Sequence, residues 1–114
     1  MFAMAILALL SLTGAQSAPD RPLPYEEAVR CAGLTQAASE LEGGESGEGR
    51  LLYDAALYWS LTATQSASTA GRNAAVAESE QTRARIRAVR ELSADNADAR
   101  ADLQRCRART PRLG

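Results

Sequence analysis

The chain has 114 residues, a net charge of −1 and 13 basic residues, all of them arginine; histidine and lysine are absent. That length bounds it to one domain, and the near-neutral balance selects no partner class by field alone. Lacking His and Lys, it lacks the commonest general base, the usual amine nucleophile and any histidine-containing zinc site.

The chain opens MFAMAILALLSLTGAQSAPD. The apolar run Phe2 to Leu12 has the length of a signal-peptide core and is well short of the ~20 residues that cross a bilayer. Small residues allow cleavage after Ala15 or after Ser17, although the only positive charge before the run is the amino terminus. The expected organisation is a signal peptide over 1–17, an extended linker over 18–23 in PDRPLP, and a helical domain over 24–110. Alanine makes up about a fifth of the chain. Together with the exclusive use of Arg, this suits a GC-rich Gram-negative genome and a periplasmic or secreted address.

The first helix is predicted from Pro24, which suits the opening position of a helix, to Glu42. Glu26 and Glu27 complement the dipole of its first turn. Its apolar stripe is Cys31, Leu34, Ala38 and Leu41. GGESGEG, Gly43 to Gly49, is a breaker. The second helix, Arg50 to Ala70, holds a single charge after Arg50 itself, Asp54. Leu52, Ala55, Ala56, Trp59 and Ala63 share one face, and Leu51, Leu57, Tyr58 and Leu61 widen it. A helix apolar on nearly every side is expected at the centre of a bundle.

Gly71 and Asn73 separate this helix from a third, Ala74 to Leu92, with a thinner stripe of Ala75, Thr82, Ile86 and Val89. Asp95 and Asp98 resemble a fresh helix start, giving a fourth, short helix from Asn96 to Ala108 with Ala99, Leu103 and Cys106 on one face. No segment alternates as a strand does. The fold class is therefore all-α, a small antiparallel bundle of about four helices behind a signal peptide.

The two cysteines, Cys31 and Cys106, test that topology. Three antiparallel helices would leave them at opposite ends. Four bring them level, each ~17 Å from the end that the first and last helices share, at 1.5 Å per residue. A pair of cysteines in an exported protein reads as a disulfide. Redox enzymes generally keep their two thiols in C-x-x-C, which makes a catalytic dithiol the weaker reading.

RARIRAVR places Arg83, Arg87 and Arg90 on one helix face, with Arg85 pointing away. The row reads either as a solvated face near Glu78, Glu80 and Glu91, or as a contact for anionic ligands or lipid headgroups. A third option is intramolecular. Asp20 to Asp54 carries eight acids and three arginines, whereas Arg72 onward carries ten arginines and six acids. The first and third helices then attract each other across their rims. YDAALYWS gathers Tyr53, Tyr58 and Trp59, with Trp59 the expected core anchor and an exposed Tyr53 or Tyr58 a candidate binding surface.

No phosphate loop, cofactor motif or metal-ligand set is present in the sequence, and two distant cysteines cannot form a Cys₄ site. The expected function is that of a non-enzymatic interaction or structural protein of the bacterial envelope, stapled by a disulfide. A protein partner is expected and nucleic acid is not. Peripheral membrane contact through the Arg row is the alternative, and thiol-redox chemistry follows behind it.

Overall fold

The computed structural model describes residues 24–112, so the signal peptide and linker fall outside the described residues. Four helices follow in order: α1 (Tyr25–Glu42), α2 (Gly47–Thr69), α3 (Ala74–Ser93) and α4 (Ala97–Ala108). No strand is found among the described residues. The protein is an all-α bundle.

The helix ends follow local chemistry. Asn73 and Asn96 cap α3 and α4, their side-chain oxygens accepting from the backbone N–H of Val76 and Ala99, both at 2.8 Å. The α4 cap is Asn96 rather than Asp95, which instead takes the left-handed conformation (φ 60°) at the turn. The glycine-rich breaker is shorter than its composition suggests. Ser46 caps α2 by accepting from the Gly49 N–H at 2.9 Å, so α2 begins at Gly47, inside the breaker. Gly49 has a packing reason to be glycine: a Cβ there would lie 1.7 Å from the Gly43 carbonyl oxygen.

The central helix is α1, not α2. It packs against all three others and buries residues on most of its circumference, among them Ala28, Cys31, Ala32, Gly33, Leu34, Thr35 and Ala37. Small side chains let neighbouring backbones come close from more than one direction, which bulkier ones prevent. The buried Thr35 hydroxyl donates to the Cys31 carbonyl at 2.7 Å, within its own helix. By contrast α2 buries the single predicted face, Leu52, Ala55, Ala56, Trp59 and Ala63, extended by Ala67. The leucines expected to widen that face point to solvent: Leu51, Leu57 and Leu61 are exposed. Leu41, assigned to the α1 core stripe, is also exposed. It lines an open groove of about 540 Å³ together with Leu52, Leu92 and Leu103.

The roll of α3 is nearly opposite to the predicted one. Ala75, Thr82 and Ile86 are exposed and Val89 is half-buried; the buried residues are Ala77 and Ala88, with Ala84 between them. The cause is a close approach of α1 and α3. A Cβ on Gly33 would lie 2.6 Å from both the carbonyl carbon and oxygen of Ala84 and 2.8 Å from its Cβ. At that separation only small residues fit between the helices, so α3 turns Ala77, Ala84 and Ala88 inward and Val76 and Ile86 outward, with Val89 and Leu92 packed at the edge of the core.

Gly33→Ala is therefore expected to destabilise the bundle by about 2 kcal/mol, since overpacking outweighs the ~1 kcal/mol gained in helix propensity. Adding Ala84→Gly should not restore it, because the clashing atoms include backbone. Urea unfolding of the single and double variants beside the unaltered protein checks both statements.

Candidate functional site

Cys31 of α1 and Cys106 of α4 are joined by a disulfide, with Cα atoms 5.5 Å apart. Both are buried, at 4% and 3% exposure, so neither sulfur faces solvent. The bond spans 75 residues and ties the central helix to the last one. Few apolar side chains share that work: α4 buries only Ala99 and Cys106, with Leu103 packed against the core at partial exposure.

Polar bonds complete the attachment of α4. Arg30, next to Cys31, donates from Nη1 to Glu91 of α3 at 2.7 Å and from Nη2 to Asp102 of α4 at 3.0 Å, linking three helices through one guanidinium. Trp59, fully buried, donates its indole N–H to the Thr110 hydroxyl at 2.8 Å, and Thr110 donates in turn to the Cys106 carbonyl. Arg107 pairs with Glu48 at 2.5 Å and Arg109 with Glu27 at 3.1 Å. Sequence reasoning missed Arg30. Its one visible signal was a lone base beside a core-facing cysteine on an otherwise acidic helix.

A second polar cluster lies where α1 begins and α2 turns into α3. The Tyr25 hydroxyl donates to Glu80 at 2.7 Å, and the Arg72 guanidinium sits 4.7 Å from the Tyr25 ring centroid. Burial, reinforced by the Glu80 carboxylate, pushes the Tyr25 phenol up to about 12. The Arg30 hydrogen bond lowers the pKa of Glu91 below the ordinary carboxylate value, as that of Arg107 does for Glu48. These are structural ion pairs that favour the charged carboxylate.

The arginines of α3 divide by face. Arg85 pairs with Glu40 of α1 at 3.1 Å, so α1 and α3 do attract each other across their rims. Arg83, Arg87 and Arg90 are exposed on the outer side. Arg87 is paired with Glu91 at 3.0 Å, Arg83 donates to the Ser79 hydroxyl, and Arg90 has no carboxylate partner among the described residues. Exposed Val76 and Ile86 lie on the same outer side.

The aromatic cluster of α2 splits. Trp59 is core, and Tyr58 is half-buried with its ring edge-on to Trp59, centroids 5.0 Å apart. Tyr53 is 55% exposed and lies about 140° round the helix from Tyr58, so the two tyrosines do not share a surface. Tyr53 is joined instead by Leu57 and Leu61, 47% and 64% exposed, at i, i+4 and i+8. Ser60, Thr64 and Ser68 continue that row, and none of the six carries a charge. Sequence reasoning had placed Leu57 and Leu61 in the core.

Among the described residues no group of three or more His, Cys, Asp or Glu is placed to hold a metal ion, and no helix is long and apolar enough to cross a membrane. Comparison with protein-family models, curated proteins and solved structures finds no match for this chain.

Replacing both cysteines by alanine is expected to cost about 4 kcal/mol, the chain-entropy value for a loop of this size. Trp59 emission should move to the red at lower denaturant as the Thr110 contact opens. An unchanged unfolding midpoint would contradict the staple's role. The pH dependence has two limbs. Glu91 and Glu48 titrate lower in the folded than in the unfolded protein, so they contribute stability above the ordinary carboxylate value that is lost as pH falls through their folded values. Glu91→Gln should flatten this acid limb. Tyr25 titrates higher when folded, so its contribution is complete below pH 10 and is lost between 10 and about 12. Tyr25→Phe should remove that alkaline loss, as followed by circular dichroism.

Proposed function

We propose that the chain is an exported, non-enzymatic interaction protein of the bacterial envelope, engaging a protein partner through the outer face of α2. The observation that carries this reading is the row Tyr53, Leu57, Leu61: three large side chains, each about half exposed or more, with Arg50 one turn before them and Asp54 at the edge of the row. Interface centres are depleted in charge and enriched in aromatic residues, whereas a merely solvated helix face is polar. Export is supported by the apolar run Phe2 to Leu12 and by the pairing of the only two cysteines. A buried, bonded cysteine pair offers no accessible thiolate, which weighs against thiol chemistry.

A second reading has its own observation. The outer sector of α3 holds Arg83, Arg87 and Arg90 with Val76 and Ile86, and its one ion pair is that of Arg87 with Glu91 at the edge, a composition that suits a helix side lying on an anionic membrane surface.

A photo-crosslinking residue at Leu57, introduced in the organism that exports the protein, is expected to give a discrete adduct that Leu61→Glu abolishes. The same probe at Ser79 should give none. Equal yields from both sites would overturn the α2 reading. Binding to phosphatidylglycerol vesicles that disappears when Arg83, Arg87 and Arg90 are all changed to alanine would favour the α3 reading instead.

A further inference from the structure

We infer that the Cys31–Cys106 bond is a redox latch on α4: its reduction frees α4 and the residues after it as one arm, while α1, α2 and α3 keep their packing. The two parts of the bundle are held by different kinds of contact. Between α1 and α3 the backbone at Ala84 presses on Gly33, and of the side chains with no exposure only Ala99 belongs to α4. Along one flank Ala101, Leu103 and Gln104 line the open groove shared with Leu41, Leu52 and Leu92, so that side of α4 is not packed. Arg107–Glu48 and Arg109–Glu27 are exposed pairs of the kind that contribute little. The Arg30–Asp102 and Trp59–Thr110 bonds are then its main non-covalent ties. Regions with few buried apolar contacts open at lower free energy than the rest of a fold.

The connection permits such an opening. The turn 94–96 between α3 and α4 is exposed throughout, so α4 pivots there without disturbing the packed side of α3. Both sulfurs are buried, and a reductant reaches them only after the end of α4 lifts from Trp59. The exchange balances with a dithiol as the reductant. The dithiol gives up two electrons and two protons and closes its own S–S bond, and the Cys31–Cys106 bond becomes two thiols. Reduction therefore reports an opening equilibrium, local for a latch and global for a bond that serves the whole fold alike.

The test uses the folded, oxidised protein with dithiothreitol as the dithiol, followed by hydrogen exchange of each helix. An isolated helix of 12 residues is marginal in water, so the freed arm should exchange almost as an unfolded chain does. After reduction the amides of 101–108 are expected to exchange at least about 100-fold faster than those around Gly33 and Ala84. Equal loss of protection in all four helices overturns the proposal, as does an α4 that stays as protected as α1. Reduction kinetics give a second, independent reading. Thr110→Val orphans the Trp59 indole N–H and should speed reduction about tenfold. Gly33 lies about 200° round α1 from Cys31, so Gly33→Ala weakens the α1–α3 contact and not the latch. Its reduction rate should stay within about threefold of the unaltered protein, with circular dichroism unchanged in both variants. A rise of about 30-fold, the full weight of its destabilisation, would show that reduction waits for global unfolding and that the latch reading is wrong. A rate indifferent to Thr110→Val would do the same.

Discussion

The contact between Gly33 and the Ala84 backbone sets the rest of the arrangement. Two helices this close admit almost nothing between them, so α3 meets α1 with Ala77, Ala84 and Ala88. The roll of α3 follows from it. With Ala77, Ala84 and Ala88 committed to α1, the opposite side must carry Ile86, Val76 and the outer arginines, whatever their hydropathy. Arg85 is thereby brought over Glu40, and Glu91 within reach of Arg30. Both ion pairs between α1 and α3 are a result of the close packing; the more exposed one, Arg85–Glu40, adds little stability by itself.

A core built from small residues buries little area per side chain, and the largest fully buried groups are Trp59, Leu34 and Thr35. The deficit is felt most at α4, a helix of 12 residues with three arginines and two aspartates. Hydrophobic burial alone would hold such a segment weakly. It is retained by a covalent bond in its last turn, a three-helix guanidinium bridge one turn before that bond, and the Trp59–Thr110 hydrogen bond beyond it. Each of these joins α4 or its continuation to α1, α2 or α3, so the C-terminal segment is an integral wall of the bundle.

Much of this was legible in the residues. Asn73, the cysteine pair and the buried face around Trp59 each carry a local or periodic signal that survives into the structure. The signal failed where shape decides over polarity. Ranking residues by hydropathy turned Ile86 inward and made α2 the centre, because an alanine looks like a poor core residue until a backbone is pressed against it. It also filled the core with Leu57 and Leu61, since a helix apolar all round is normally surrounded. Here one side of it is not, and that discrepancy marks the candidate interaction face. Arg30 was hidden for a different reason: the partners of a bridging guanidinium are 61 and 72 residues away in sequence, and no spacing rule reaches that far.

The bond between Cys31 and Cys106 has a further consequence for how the molecule withstands proteolysis. All three inter-helix turns, at 43–46, 70–73 and 94–96, lie inside the ring that it closes. Exposed turns are where proteases cut. A single nick at any of them opens the ring without dividing the molecule, because both fragments stay covalently joined next to the packed α1–α4 contact. The protein is thus built so that the first proteolytic cut changes its connectivity but not its composition, and the cut ends remain anchored to the bundle.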